Sequence, residues 1–239
     1  MIGIVVALAL WELAPRLGWV REQSVPPFSR VVAEAVDVLG DPGFLAALGA
    51  TAWRCLAGLA LAVAIGVPLG LAMGRSRALH ALVDPLLVAA YPVPKAALIL
   101  LFVLWWGAGD AARIAIVVIG CLIPLVIAAY HGARAVPPVL LWSARGLSAR
   151  TWRVVLPAAL PQLVSGGRIA IALAIFTALA SELLIRGSGL GSLLFTALDN
   201  GQTPTVFALS TIVAALGFLV DGAYVLAVRR ALPWREGEV

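Results

Sequence analysis

Charge is scarce in this chain. Only 12% of its 239 residues are charged, 62% are apolar, and the mean hydropathy is +1.04. A soluble domain carries about twice that share of charge, so there is too little polar side chain here to coat a water-facing surface. Most of the exterior must meet lipid, where backbone groups are satisfied only inside helices or closed barrels. The period-two alternation of barrel strands is also missing; long unbroken apolar runs stand in its place and select helices. Lysine is nearly absent: Lys95 stands alone, after Pro94 and before alanine. No Gly-x4-Gly-Lys-Ser/Thr loop exists to cradle a nucleotide, so any ATP-derived energy must come from another polypeptide. The two cysteines, Cys55 and Cys121, lie far apart in apolar runs and read as small packing residues. His80 and His131 are isolated and make no metal site. No Ser/His/Asp or His/Glu set gathers at membrane depth, which argues against a membrane-embedded enzyme.

The apolar runs give about six candidate spans, at residues 2–17, 52–73, 82–106, 111–130, 167–185 and 206–228. The run at residues 2–10 has neither a basic leader nor a small-residue cleavage site. It reads as the end of a first spanning helix and leaves open a start upstream of Met1. The third span is broken by Tyr91-Pro92-Val93-Pro94-Lys95, since two prolines remove donors and restrict the residues before them. After Pro26-Pro27-Phe28, an amphipathic surface helix is expected at residues 30–39, capped by Ser29 and apolar at Val31, Val32, Ala35, Val36 and Leu39.

Arginine placement orients the chain. Arg75, Arg77, Arg134, Arg145, Arg150, Arg153, Arg168, Arg229, Arg230 and Arg235 all fall on one side, ten of the seventeen cations. By the positive-inside rule that side is cytoplasmic, with both termini there. The formal charge of +5 is thus a topology signal and not a nucleic-acid footprint. The longest cytoplasmic segment joins the fourth and fifth spans. Pro137-Pro138 can open a short helix. Ser143, Ala144, Gly146, Ser148 and Ala149 are small enough to admit another surface. Arg145, Arg150, Arg153, Trp142 and Trp152 are types enriched at binding hot spots. Pro157 and Pro161 are expected to stop that helix before the fifth span. A basic loop held to anionic headgroups is the plainer alternative.

This segment resembles the cytoplasmic "EAA" loop of ABC importer permeases. Ala144 and Arg145 fall on the second Ala and the Arg after it, and Leu156-Pro157-Ala158-Ala159-Leu160-Pro161 matches the closing Leu-Pro-x-Ala-Leu-Pro. Trp142 stands where the Glu belongs and Ser148 where the Gly belongs, and roughly four residues of the pattern are missing between Trp152 and Leu156. The resemblance extends along nearly the whole chain, through Leu10-Trp11-Glu12-Leu13-Ala14, Gly66-Val67-Pro68-Leu69-Gly70, Asp84-Pro85-Leu86, Pro92-Val93-Pro94, Leu104-Trp105-Trp106-Gly107, Ser181-Glu182-Leu183 and Ser188-Gly189-Leu190-Gly191. It is similar to the branch that imports nitrate, sulfonates, taurine, bicarbonate, thiamine precursors and riboflavin.

What the resemblance implies is an all-α polytopic permease domain over residues 1–239, with its coupling loop at 134–161, in a bacterial inner membrane. Implied partners are a second copy of the chain, two ATPase subunits that hold the ATP and Mg, and an external binding protein. Trp142, Ala144, Arg145, Gly146, Ser148, Ala149, Trp152 and Pro157 would then meet the ATPase. Tyr91, Pro92, Pro94, Lys95 and Glu182 are candidate pathway residues, because irregular backbone or charge at membrane depth belongs beside water or buried protein. For Glu182 an i,i+4 pair with Arg186 is the simpler reading, and Lys95 could equally snorkel to an interface. Trp105 and Trp106 fit an interfacial aromatic belt; Glu12 and Asp221 read as packing or boundary residues. The rival class is a secondary transporter or channel without an ATPase, which would call for coupling carboxylates in several spans and inverted repeats. Only Glu182, Glu12 and Asp221 are available, and no such repeat is detectable.

Overall fold

A computed structural model describes residues 2–147 and 150–231. Among the described residues the chain is all helix and turn. In order these are α1 (Ile2–Arg16), α2 (Phe28–Gly40), α3 (Pro42–Arg75), α4 (Arg77–Ala90), α5 (Lys95–Trp106), α6 (Asp110–Arg134), α7 (Pro138–Gly146), α8 (Trp152–Leu184), α9 (Leu190–Asp199) and α10 (Thr203–Ala231).

Among the described residues four helices are long and apolar enough to cross a membrane: α3, α6, α8 and α10. They contain the expected second, fourth and sixth spans and, except for Ile185, the fifth. The expected first span is only a 15-residue helix, roughly 22 Å at 1.5 Å per residue, against a hydrocarbon core of about 30 Å. The third is split, as its prolines require, into α4 and α5 around Tyr91–Pro94. Ser76 caps α4 by accepting from the Leu79 N–H at 3.2 Å. Gly107 ends α5 at φ +75, a backbone conformation that suits glycine.

Two expectations are corrected. Ser29 does not cap the amphipathic helix; α2 starts earlier, with Pro27 at the cap position. The cap is supplied from a distance, since the Glu12 carboxylate accepts from the Ser29 N–H and hydroxyl, both at 2.9 Å. A carboxylate there satisfies orphan donors and the positive end of the helix at once. Nor do Pro157 and Pro161 stop a helix before the fifth span: α8 runs through both, for 33 residues. Each proline forfeits a backbone bond one turn back, a loss that proline-bearing transmembrane helices offset through packing and local adjustment.

The helices fall into two compact units. Residues 1–53 and 179–220 form the first, with a core of Phe44, Ala47, Leu190, Ala197, Leu209 and Ile212. The described residues within 54–178 and 221–231 form the second. Its α3, α6 and α8 segments share a core of small and branched residues, Ala62, Val117, Cys121, Leu125, Ala170, Ala174 and Ala178. Both cysteines serve this packing: Cys121 Sγ lies 3.2 Å from the Ala170 carbonyl and Cys55 Sγ 3.6 Å from that of Ala174. Along α3 the stripe Gly66-x3-Gly70-x3-Gly74 faces α6. A Cβ on Gly70 would collide with the Val126 carbonyl and meet the Ala129 methyl, and one on Gly74 would lie 2.6 Å from the Ala133 methyl. Lipid gives helices little hydrophobic reason to associate, so close approach over small residues supplies the contact.

Candidate functional site

The described part of the segment between α6 and α8 is a short bracket. α6 ends at Arg134, Pro138 opens α7 after a three-residue link, and α8 begins at Trp152. On the inner side Leu141 and Ala144 are buried, and Leu141 joins Leu71, Ala129, Ala133, Val136, Val155 and Ala159 in one cluster. On the outer side Val139, Leu140, Trp142 and Leu147 are exposed, Trp142 to 65%, with Trp152 and Leu156 exposed at the start of α8. Ala144 is buried within its own chain. Gly146 is exposed at the helix end, and Pro157 sits within α8. Ser148, Ala149 and the side chain of Arg145 lie outside the described residues.

The break in the third span is open. Tyr91, Pro92, Val93 and Pro94 are all exposed, and half-buried Lys95 begins α5. Trp105 and Trp106 are exposed at the other end of α5, where Phe102 stacks on Trp106 at 5.2 Å between centroids.

Glu182, the remaining pathway candidate, is not beside open space. It is fully buried in the first unit. The Thr51 hydroxyl lies 2.9 Å from both carboxylate oxygens, and the Gly191 N–H donates to Oε2 at 3.0 Å. The Thr51 oxygen in turn accepts the Leu190 N–H at 2.9 Å, and Ser192 Oγ donates to the Glu182 carbonyl at 3.1 Å. One acid thus ties the end of α8 to α3 and to the first turn of α9, where the helix field favours negative charge. Two glycines make room. Gly189 has φ +112, and a Cβ there would strike the Glu182 carboxyl; one on Gly191 would lie 2.6 Å from the Leu179 carbonyl. Arg186 falls beyond the end of α8, with its guanidinium 4.4 Å from the centre of the Phe195 ring.

Two charged pairings are not foreseen from the sequence. Arg54, 1% exposed, donates through Nε to Asp110 at 2.8 Å, its Nη2 lies 2.7 Å from the same oxygen, and Arg113 approaches that oxygen at 3.4 Å. Asp110 is the first residue of α6. Arg168, read from sequence as a cytoplasmic cation, grips Asp221 of α10 with Nε and Nη2, each at 2.6 Å. An arginine inside an apolar run was the available signal for Arg54; the spacing of Arg168 and Asp221 in the chain offered none.

Among the described residues no group of three or more His, Cys, Asp or Glu could hold a metal. The arrangement holds helices in place and presents surfaces.

Comparison with known proteins agrees. Residues 66–232 match the family described as binding-protein-dependent transport system inner membrane component. The chain is 31% identical to the taurine transport system permease protein of Escherichia coli (strain K12), over 99% of this chain and 89% of the relative. It is 34% identical to a putative aliphatic sulfonates transport permease protein of the same organism, over 98% and 89% respectively. It is 30% identical to the formylaminopyrimidine transport permease protein of Halalkalibacterium halodurans, over 96% and 92%. With its long apolar helices, its short bracket between α6 and α8 and a family match over most of its length, the chain belongs to the binding-protein-dependent inner membrane components, the non-catalytic, multi-pass permease subunits of ABC importers.

Proposed function

We propose that this chain forms half of a two-fold translocation pathway and takes its motion from a separate ATPase through α7. The observation that carries this reading is the division of α7 into two faces. Leu141 and Ala144 are sunk in the body while Val139, Leu140 and Trp142 stand out from it. A solvated loop has no reason to display a tryptophan beside two branched apolar side chains. A docking surface does, because buried aromatic anchors supply most of the energy at interfaces. Stiffness supports the same role. α7 rests on Val155 and Ala159 of α8, so a push on the bracket reaches a 33-residue helix and is not absorbed in slack chain.

In the proposed cycle, ATP binding closes two ATPases and draws the two brackets together. The paired bundles then open outward to take solute from an external binding protein, and hydrolysis resets them. Oligomers favour closed two-fold symmetry, and a second copy of this chain completes the path. The arginine bias supports a cytoplasmic side for both termini and α7. The names of the relatives, with taurine, sulfonates and a formylaminopyrimidine among them, support a small sulfonate-like or vitamin-precursor-like solute. Tyr91, Pro92, Pro94 and Lys95 are the exposed irregular segment proposed to border its path.

Co-purification tests the proposal. Trp142→Glu or Leu140→Glu should cut recovery of the cognate ATPase about tenfold, the equivalent of roughly 1.4 kcal/mol, with the permease still at its normal level in the membrane. Wild-type recovery from both variants would overturn the bracket. Import by the wild-type chain with no ATPase present would instead favour a secondary transporter.

A further inference from the structure

Asp221 lies in the apolar stretch Phe218-Leu219-Val220-Asp221-Gly222-Ala223-Tyr224-Val225-Leu226 of α10. It is eight residues, roughly 12 Å along a helix, from the Arg229-Arg230 pair that ends that stretch. A short aspartate cannot snorkel so far. Its partner Arg168 is held in place by two bonds from Nε and Nη2, and Tyr224, one turn from Asp221, locks the same helix pair by donating to the Val164 carbonyl at 2.8 Å. Yet the pair is not enclosed: the side chains of Arg168 and Asp221 are 52% and 39% exposed. The bonds to Asp221 are made by Nε and Nη2, and the half-exposed guanidinium carries further hydrogens, those of Nη1 among them. The exposed stripe of α8 around Arg168 continues through Ile169, Ala172 and Phe176.

A half-exposed ion pair with unused donors is costly against hydrocarbon, and charge at such depth faces a cavity or partner. We infer that the α8–α10 face bearing Arg168 and Asp221 is a wall of the water-filled pathway, where the outward edge of Arg168 contacts the anionic group of the passing solute. This rests on the permease reading above and adds to it a place and a chemistry. The guanidinium fork matches sulfonate or carboxylate oxygens. Its bond to Asp221 cancels much of its charge, so an anion is held weakly enough to leave, as conduction requires.

Water access and charge preference can be measured without knowing the solute. In the full transporter complex in native membranes, with Cys55 and Cys121 replaced by alanine, Ala172→Cys places a thiol one turn from Arg168. It is treated with the sulfonatoethyl and the trimethylammonioethyl methanethiosulfonates. Both should react, and with each rate divided by that reagent's rate with a free thiol in solution, the sulfonate should be about fivefold favoured, as expected for a charge at short range in a partly hydrated site. The added double change Arg168→Gln with Asp221→Asn keeps a polar pair and should abolish that preference while the thiol still reacts. A thiol inert to both reagents means the face is covered by lipid or by the second copy, and overturns the inference; cross-linking between the introduced thiols of two copies identifies the second case. Equal normalised rates, or a preference that survives the double change, also overturn it. None of these results depends on ATP, so failure here is distinct from failure of the ATPase coupling.

Discussion

Replacing Thr51 by valine is the most direct test of the knot around Glu182. The two side chains have nearly the same shape, so the substitution removes a hydroxyl and leaves the packing. Two bonds go with it. The carboxylate loses a donor at 2.9 Å, and the Leu190 N–H loses its acceptor at 2.9 Å. A hydrogen bond to a charged group contributes about 1.5–3 kcal/mol, and a buried donor left unsatisfied costs about 1–3 kcal/mol. Neither loss is relieved by water, since Thr51 is 5% exposed and Glu182 is enclosed. Counting the overlap between the two, we expect a loss of about 3 kcal/mol. At roughly 2–4 °C per kcal/mol for a chain of this size, that lowers the midpoint of thermal unfolding by about 6–12 °C. Tryptophan fluorescence of the detergent-purified chain reads this, with Thr51→Ser as the control that keeps both bonds. A Thr51→Val protein melting within about 1 °C of wild type would refute the reasoning. So would a serine variant that falls as far as the valine one.

Gly70→Leu should abolish accumulation of folded protein, because even the first added carbon collides with the Val126 carbonyl, which is backbone and cannot swing aside; membrane-fraction immunoblotting measures it, and Gly217→Leu, where a Cβ meets nothing within 4 Å, should accumulate normally. Asp110→Ala should lower thermal stability more than Asp110→Asn. It removes one charged acceptor from Arg54, whose side chain is 2% exposed, and weakening the pairing of a buried charge is costly, whereas asparagine still offers an oxygen; equal melting points for the two variants would count against the pair.

Much of this is legible in the residues. Apolar runs of bilayer length name the long helices, because lipid imposes length and composition locally. Tyr91-Pro92-Val93-Pro94 names the break by simple loss of donors. Ser181-Glu182-Leu183 and Ser188-Gly189-Leu190-Gly191 stand out as motifs, but their reason does not: the glycines give the Glu182 carboxyl room, and Gly191 also donates to it. The Gly66, Gly70 and Gly74 spacing carries a close-packing stripe that is hidden in sequence behind its part in the family resemblance. The Ser29 cap fails because a better acceptor, Glu12, arrives from 17 residues away. The stop at Pro157 and Pro161 fails because a proline penalty of about 3 kcal/mol is smaller than what a packed membrane helix can offset.

Four properties need no fold to be read: the solvent this chain lives in, the helices that meet it, the lack of a nucleotide loop and the likeness to a permease. Each belongs to composition or to neighbours along the chain. Only packing could seal Glu182 away, bring Arg54 to Asp110 and Arg168 to Asp221, and choose which face of α7 looks outward. Those are pairings between residues up to 131 positions apart. Charge at membrane depth must find a partner or water, but which partner depends on how helices rotate and pack.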